Sequence, residues 1–308
     1  MLSYLLSLIA GISTPTQTSV NTRLADKVKS PYISSVISFS TATVYLAIIL
    51  LFVDNGIHLP LAEIAREPFW IWFGGICGVG IVVLNILCLP KLGSALTVML
   101  LSFGQIMTGI IIDSFGLFGS KQIELTLARC IGAALVVAGV VMVSKNKEEK
   151  RDKNRGAALY MVLAIVCGMC CAFQVAINGR LTVVAGLSWR STFISMTIGT
   201  MGSMLLATGL FLAKGKNGII NKEMPNIKFK WYQLMGGVLA VVIVGSNAIS
   251  APIIGTGMVT ILNLIGQMST GLTIDAVGFL GIDKKQITAN KINGILTMII
   301  GTAIIMFM

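Results

Sequence analysis

The chain has 308 residues, of which 55% are hydrophobic and only 11% charged, too few charges to cover an aqueous surface. Its apolar surface must face lipid. The formal net charge of +11 does not mark a nucleic-acid binder, because the bases collect between the apolar runs, where residues excluded from hydrocarbon are expected.

A helix needs about 20 apolar residues to span a bilayer, and ten runs of that length follow one another at 2–24, 32–53, 69–89, 93–115, 122–143, 156–181, 189–213, 231–251, 255–279 and 286–307. The first run lacks the basic start and small-residue cleavage site of a signal peptide and carries the same polar motif as the sixth, so it counts as a helix. The expected fold is all-α and integral to the membrane, with ten transmembrane helices.

In the first run Thr14, Gln17, Thr18 and Asn21 fall at i, i+3, i+4 and i+7 and form a polar stripe on one face. Pro15 interrupts that helix beside the stripe. The third run adds Asn85. The fourth carries Gln105, Thr108 and, near its end, Asp113; Arg129 follows in the fifth. Residues 145–155, KNKEEKRDKNR, are the one strongly polar segment and read as a linker.

Beyond it the pattern returns. Cys167, Cys171, Gln174 and Asn178 repeat the stripe in the sixth run, Asn247 lies in the eighth, and Thr260, Asn263, Gln267, Thr270 and Asp275 lie in the ninth. Lys291 follows in the tenth. Gln17, Asn21, Arg23 and Leu24 recur as Gln174, Asn178, Arg180 and Leu181 at an offset of 157. Gly74, Gly75, Asn85, Pro90, Gln105, Asp113, Gly132 and Gly139 recur at an offset of 162 as Gly236, Gly237, Asn247, Pro252, Gln267, Asp275, Gly294 and Gly301. Identities at amides and acids do not arise from apolar bias, so the chain is a duplication: 1–144, the linker 145–155, and 156–308.

Each half has five helices. An odd count puts the second copy's start where the first one ended, so the repeats are inverted in the membrane. Connections after runs 1, 3, 5, 7 and 9 hold 17 of the bases, while those after runs 2, 4, 6 and 8 hold only Arg66, Lys121, Arg180 and Arg190. By the positive-inside rule the linker is cytoplasmic and both termini lie outside.

A buried amide without a partner costs on the order of several kcal/mol, so the stripes face inward. Interhelical hydrogen bonding alone explains one such residue; two matched stripes on inverted repeats suggest a shared pathway. The substrate-pathway candidates are Thr14, Gln17, Thr18, Asn21, Asn85, Gln105, Gln174, Asn178, Asn247, Asn263 and Gln267. Asp113 with Arg129 and Asp275 with Lys291 share a spacing of 16 and are the candidates for coupling or gating; a structural ion pair closing each helix hairpin is the competing explanation.

His58 is the one histidine, and neither a phosphate-binding loop nor a nucleophile elbow nor an acid cluster is present, so neither an enzyme nor a cofactor or metal site is expected. The six cysteines all lie inside apolar runs and read as small packing residues. A channel-like facilitator and a non-transporting membrane scaffold remain as alternatives to a carrier.

On Gln17-x3-Asn21, Gln174-x3-Asn178, the Gly74-Gly75 and Gly236-Gly237 pairs, and the Gly-Gln to Asp to Gly runs at 104–116 and 266–278, the chain resembles the drug/metabolite transporter superfamily, in the fused two-domain form of its YdcZ-like branch. The resemblance implies two inverted five-helix repeats, a central cavity formed by helices 1, 3, 4, 6, 8 and 9, and export of small metabolites or drug-like compounds by alternating access. Residence in the cytoplasmic membrane of a bacterium is expected; coupling to a proton or cation is an open reading carried by the acids Asp113 and Asp275 and not by the resemblance. The small multidrug exporters of the superfamily use a glutamate in the first helix; Gln17 stands here instead, so their proton chemistry is not carried over.

Overall fold

A computed structural model describes residues 1–120, 122–144, 155–214, 234–279, 284 and 286–307. The linker 145–154, the segment 215–233 with its bases, and Gly281 lie outside them. Helices are α1 (Leu2–Val28), α2 (Pro31–Val53), a one-turn α3 (Leu61–Ile64), α4 (Phe73–Leu92), α5 (Ser94–Phe115), α6 (Leu127–Ser144), α7 (Arg155–Ala185), α8 (Ser188–Lys214), α9 (Met235–Val277) and α10 (Ala289–Phe307).

The eighth and ninth predicted spans appear as one run of 43 helical residues, α9. Drawn straight it would measure about 64 Å, twice the roughly 30 Å of a hydrocarbon core. It is not straight. Asn263 Nδ2 donates to Asn247 Oδ1 at 3.0 Å, and residues 16 apart on a straight helix stand about 24 Å from each other. The chain therefore reverses between them, as it does at Gly93 between α4 and α5, where φ is 78°. Two limbs result, Met235–Asn247 and 259–277.

The ten spans are therefore present. Among the described residues five are long and apolar enough to cross a bilayer by length and composition alone, and Leu127–Met142, Met235–Asn247 and Ala289–Ile305 are shorter apolar stretches. The remaining two, α1 and the second limb of α9, carry the polar residues, which lower their hydropathy. Along α1 the hydroxyls of Ser7, Thr14, Thr16, Thr18, Ser19 and Thr22 each donate to the carbonyl four residues back, so the helix satisfies them without water. The fifth and tenth helices begin later than predicted, at Leu127 and Ala289. Thr126 Oγ1 accepts from Arg129 N at 3.2 Å and caps the first of these.

Without a hydrophobic drive between helices in lipid, close packing needs small residues. A Cβ on Gly132 would meet Gly301 O at 2.6 Å, and one on Gly139 would meet Gly294 O at 2.6 Å. Gly294 and Gly301 are the repeat images of Gly132 and Gly139, so α6 and α10 cross as mirror partners in an antiparallel pair. α2 packs on α8 in the same self-paired way, while α1 lies along α9 and α7 along α4 and α5. Each half thus embraces the other, which is the arrangement of two inverted five-helix repeats. Outward, Leu5, Ile9, Ile12, Val44, Ile48, Leu51 and Phe52 are exposed and form part of the lipid-facing surface.

Candidate functional site

The stripes meet across the middle of the fold. Gln17 Nε2 donates to Gly236 O at 3.0 Å, and its image Gln174 donates to Gly74 O at 3.1 Å. Each glutamine thus uses one amide proton to tie its helix to the opposite half. A side chain at Gly236 would strike Asn21 Oδ1, and one at Gly74 would strike Asn178 Oδ1; the paired glycines found in the sequence are the places where the stripes come up against bare backbone.

Between the stripes lies a cavity of about 340 Å³, within the range of small-molecule sites. Thr14, Gln17, Gln105, Gln174, Asn178, Asn247, Asn263 and Gln267 line it together with apolar residues such as Phe39, Ile81, Val82, Met196 and Val244. Among the described residues that line it, none is charged. Thr18 and Asn85 line a smaller void next to it instead, and Asn21 is buried at 2% exposure beside Gly236. The cavity also recruits Ser38 and Phe39 of α2 and Ser191, Thr192 and Met196 of α8, which the resemblance had left out. Their signal was present in the sequence: Ser34, Ser38 and Thr43 recur as Ser191, Ser195 and Thr200 at the offset of 157.

The two ends of the cavity differ. Asn178, Gly179, Thr182, Val183, Ser191 and Thr192 line it at the end where α7 meets α8. Their images, Asn21, Thr22, Ala25, Asp26, Ser34 and Ser35, do not. Of these Asn21, Thr22 and Ala25 are buried where Asn178, Gly179 and Thr182 are not, while Ser34 and Ser35 are buried like Ser191 and Thr192 themselves; Ser34 Oγ donates to Asn21 O at 2.8 Å. The cavity is open toward the α7–α8 end and sealed at the α1–α2 end.

The acids follow the same division. Asp275, 1% exposed, accepts from Ser94 N at 2.7 Å and Ala95 N at 3.1 Å, so a carboxylate of the second half holds the N-terminus of α5 at the sealed end. Asp113 sits at the open end with its side chain 36% exposed and receives Arg129 Nη2 at 3.1 Å. Arg129 is buried and also donates from Nε to Ile305 O at 3.2 Å. Lys291 Nζ donates to Gln286 O at 3.1 Å.

Two further ion pairs, not anticipated in the sequence, bracket the open end. Arg190 binds Asp54 through two bonds of 2.7 Å, and Arg180 binds Glu67 at 3.0 and 2.7 Å. Bidentate pairs of this kind set orientation as well as attraction. Among the described residues no group of His, Cys, Asp and Glu is arranged to hold a metal ion.

A protein-family model described as "Putative inner membrane exporter, YdcZ" matches residues 2–142 and again 159–304. The chain belongs to this family. The family places the YdcZ-type chain among membrane transporters of the exporter kind in the inner membrane. A solved crystal structure with 15% sequence identity superposes over 97% of this chain and 95% of that one with a TM-score of 0.59, which extends the likeness to the fold alone. The search of curated proteins returned no match.

Proposed function

We propose that this YdcZ-type transporter carries small, neutral or weakly cationic molecules through the central cavity by alternating access, exporting metabolites or drug-like compounds. The observation that supports it most is the contrast between ends: Asn178, Gly179 and Thr182 line the cavity at the α7–α8 end, whereas their images Asn21, Thr22 and Ala25 are buried outside it at the α1–α2 end. A seal at one end favours a carrier over a channel, and a lined cavity favours either over a scaffold. The absence of charge among the described lining residues makes a fully charged solute of either sign a poor ligand.

With the odd connections cytoplasmic, both termini and the α7–α8 end face outward, and the linker 145–155 joins the halves inside. Asp275 then latches the inner end through the N-terminus of α5. In the opposite state Asp113 would leave Arg129 and take the corresponding backbone at 256–257, while Asp275 lets go. Exchanging the conformations of two inverted repeats produces this motion without new contacts.

The test is flux. A thermal-shift screen of neutral and monocationic metabolites supplies a substrate, and counterflow in proteoliposomes then reads transport. Gln17→Ala and Gln174→Ala each reduce counterflow by about tenfold, a loss of roughly 1.4 kcal/mol, with folding retained. Undiminished counterflow in both would remove the pathway.

A further inference from the structure

Four glutamines line the main cavity as two repeat-related pairs, Gln17 with Gln174 and Gln105 with Gln267. The first pair is spent, each donating to a glycine carbonyl of the opposite half. The second pair is not: among the described residues neither Gln105 nor Gln267 hydrogen-bonds through its side chain. Gln267 is the more exacting case, 6% exposed with Oε1 buried and without a partner. A buried polar group left unbonded costs about 1–3 kcal/mol, and the cavity that Gln267 lines is where its partner can come from. We infer that Gln267 is the residue that recognises the solute, and that the cavity takes uncharged molecules presenting a cis-amide edge, with C=O and N–H side by side, as in a lactam, a cyclic ureide or a primary amide. The inference rests on the transport reading above and narrows its substrate class.

A carboxamide carries an acceptor oxygen beside an N–H donor. Its complement is the same pair reversed, joined by two parallel hydrogen bonds. The covalent geometry of each amide sets the spacing, so one residue suffices to make both bonds. Turning the Gln267 amide over exchanges its oxygen and nitrogen and leaves the pattern unchanged. Asn263, one turn earlier on the same face, is 8% exposed. It donates from Nδ2 to Asn247 and keeps Oδ1 unbonded, so it offers one more bond beside that edge.

The remaining walls select against other chemistries. A carboxylate or ammonium meets no opposite charge among the described lining residues. A polyol would bury hydroxyls against Phe39, Ile81, Val82, Met196 and Val244, where they find no partner. A lactone has the acceptor and lacks the donor. An acyclic secondary amide is trans, with C=O and N–H on opposite edges, and turning it cis costs about 2.5–4 kcal/mol. A ring holds that bond cis already, and a primary amide has an N–H on the carbonyl side in any case. Lactams and primary amides therefore pass where peptides do not.

The duplication also fixes the direction in which the solute lies. Thr260 and Asn263 line the cavity beside Gln267, and their images beside Gln105 are Val98 and Leu101. The second limb of α9 is thus the polar wall. Leu101 of α5 with Ile81 and Val82 of α4 forms an apolar one. The amide edge goes to Gln267 and the apolar body to α4 and α5.

The experiment titrates the full-length protein in detergent with a matched set of small aromatics: the lactam carbostyril, N-methylcarbostyril, the lactone coumarin, the trans amide acetanilide and the primary amide benzamide. Carbostyril and benzamide should bind about tenfold more tightly than the other three, or roughly 1.4 kcal/mol. Gln267→Leu and Gln267→Met, which keep the bulk and remove the edge, should bring carbostyril down to the level of N-methylcarbostyril, while Gln105→Leu keeps the preference. The ranking in the parent needs no variant to fold. Carbostyril binding no better than N-methylcarbostyril or coumarin, no binding of any of the set at millimolar concentration, or a preference that survives both Gln267 variants each overturn the assignment. An unfolding midpoint lowered by Gln267→Leu, in a protein whose parent shows no ranking, overturns it in favour of a structural water on Gln267. Counterflow is read separately: ranked binding without counterflow of any solute upholds the recognition and removes the transport reading, whereas counterflow of a screened solute with no amide ranking does the reverse.

Discussion

Thr43 and Thr200 share a hydrogen bond of 3.0 Å between their hydroxyls, and their separation of 157 is also that of Gln17 and Gln174. Two residues that are repeat images and touch each other lie beside the axis relating the halves. On the proposed alternating-access reading the α2–α8 contact is the pivot, and positions there should move least when the halves exchange conformations. With the native cysteines replaced, Thr43→Cys with Thr200→Cys should cross-link on mild oxidation and leave counterflow within about threefold of the reduced protein, a change under 1 kcal/mol. Mass spectrometry reports the bond. Loss of counterflow on cross-linking would move the pivot elsewhere.

Gly236 faces Asn21 and Gly74 faces Asn178 with no room for a Cβ. Gly236→Ala and Gly74→Ala should each destabilise by about 1–3 kcal/mol, the usual cost of overpacking, and displace the glutamine bonds beside them. Gly109, whose added Cβ would meet nothing within 4 Å, is the control. Thermal unfolding in detergent checks the ranking.

The Asp54–Arg190 pair governs acid stability at the open end. The Arg190 guanidinium bonded to Asp54 holds that carboxyl below the ordinary carboxylate range. A group lowered on folding contributes stability above its unfolded pKa, near 4, and that contribution is lost as pH falls through the lower folded value. The difference in unfolding midpoint between the parent and Asp54→Asn should be constant near neutrality and shrink below about pH 4. A difference that grows toward low pH would contradict the sign.

Asp275→Asn removes the charge that holds the N-terminus of α5. The sealed end should then open more often. A cysteine at Ser35, buried in the structure, should react with a membrane-impermeant maleimide several-fold faster in the Asp275→Asn background, while Asp113→Asn leaves its rate unchanged. Equal rates in all three proteins would dismiss the latch.

Much of this was legible in the sequence because lipid makes few demands and makes them strictly. Apolar runs of spanning length, bases confined between them, and amides recurring at 157 and 162 dictate ten helices, a duplication and its inversion. The same offsets pointed to Gln17, Gln174, Asn247 and Gln267 as inward-facing. Helix periodicity, however, says which face of a helix is polar and nothing about what that face meets. That Gln17 spends a proton on Gly236 O, that α2 and α8 help wall the cavity, and that Asp54 and Glu67 find Arg190 and Arg180 across more than a hundred residues follow from how the halves interlock.

The asymmetry is the clearest case. Asp113 and Asp275 are equivalent in the sequence, since duplication gave them the same neighbours along the chain. Only the tertiary structure separates them, with Asp275 on the N-terminus of α5 and Asp113 beside Arg129. Which end is sealed is a property of the packed state, set by contacts between halves that no local pattern encodes.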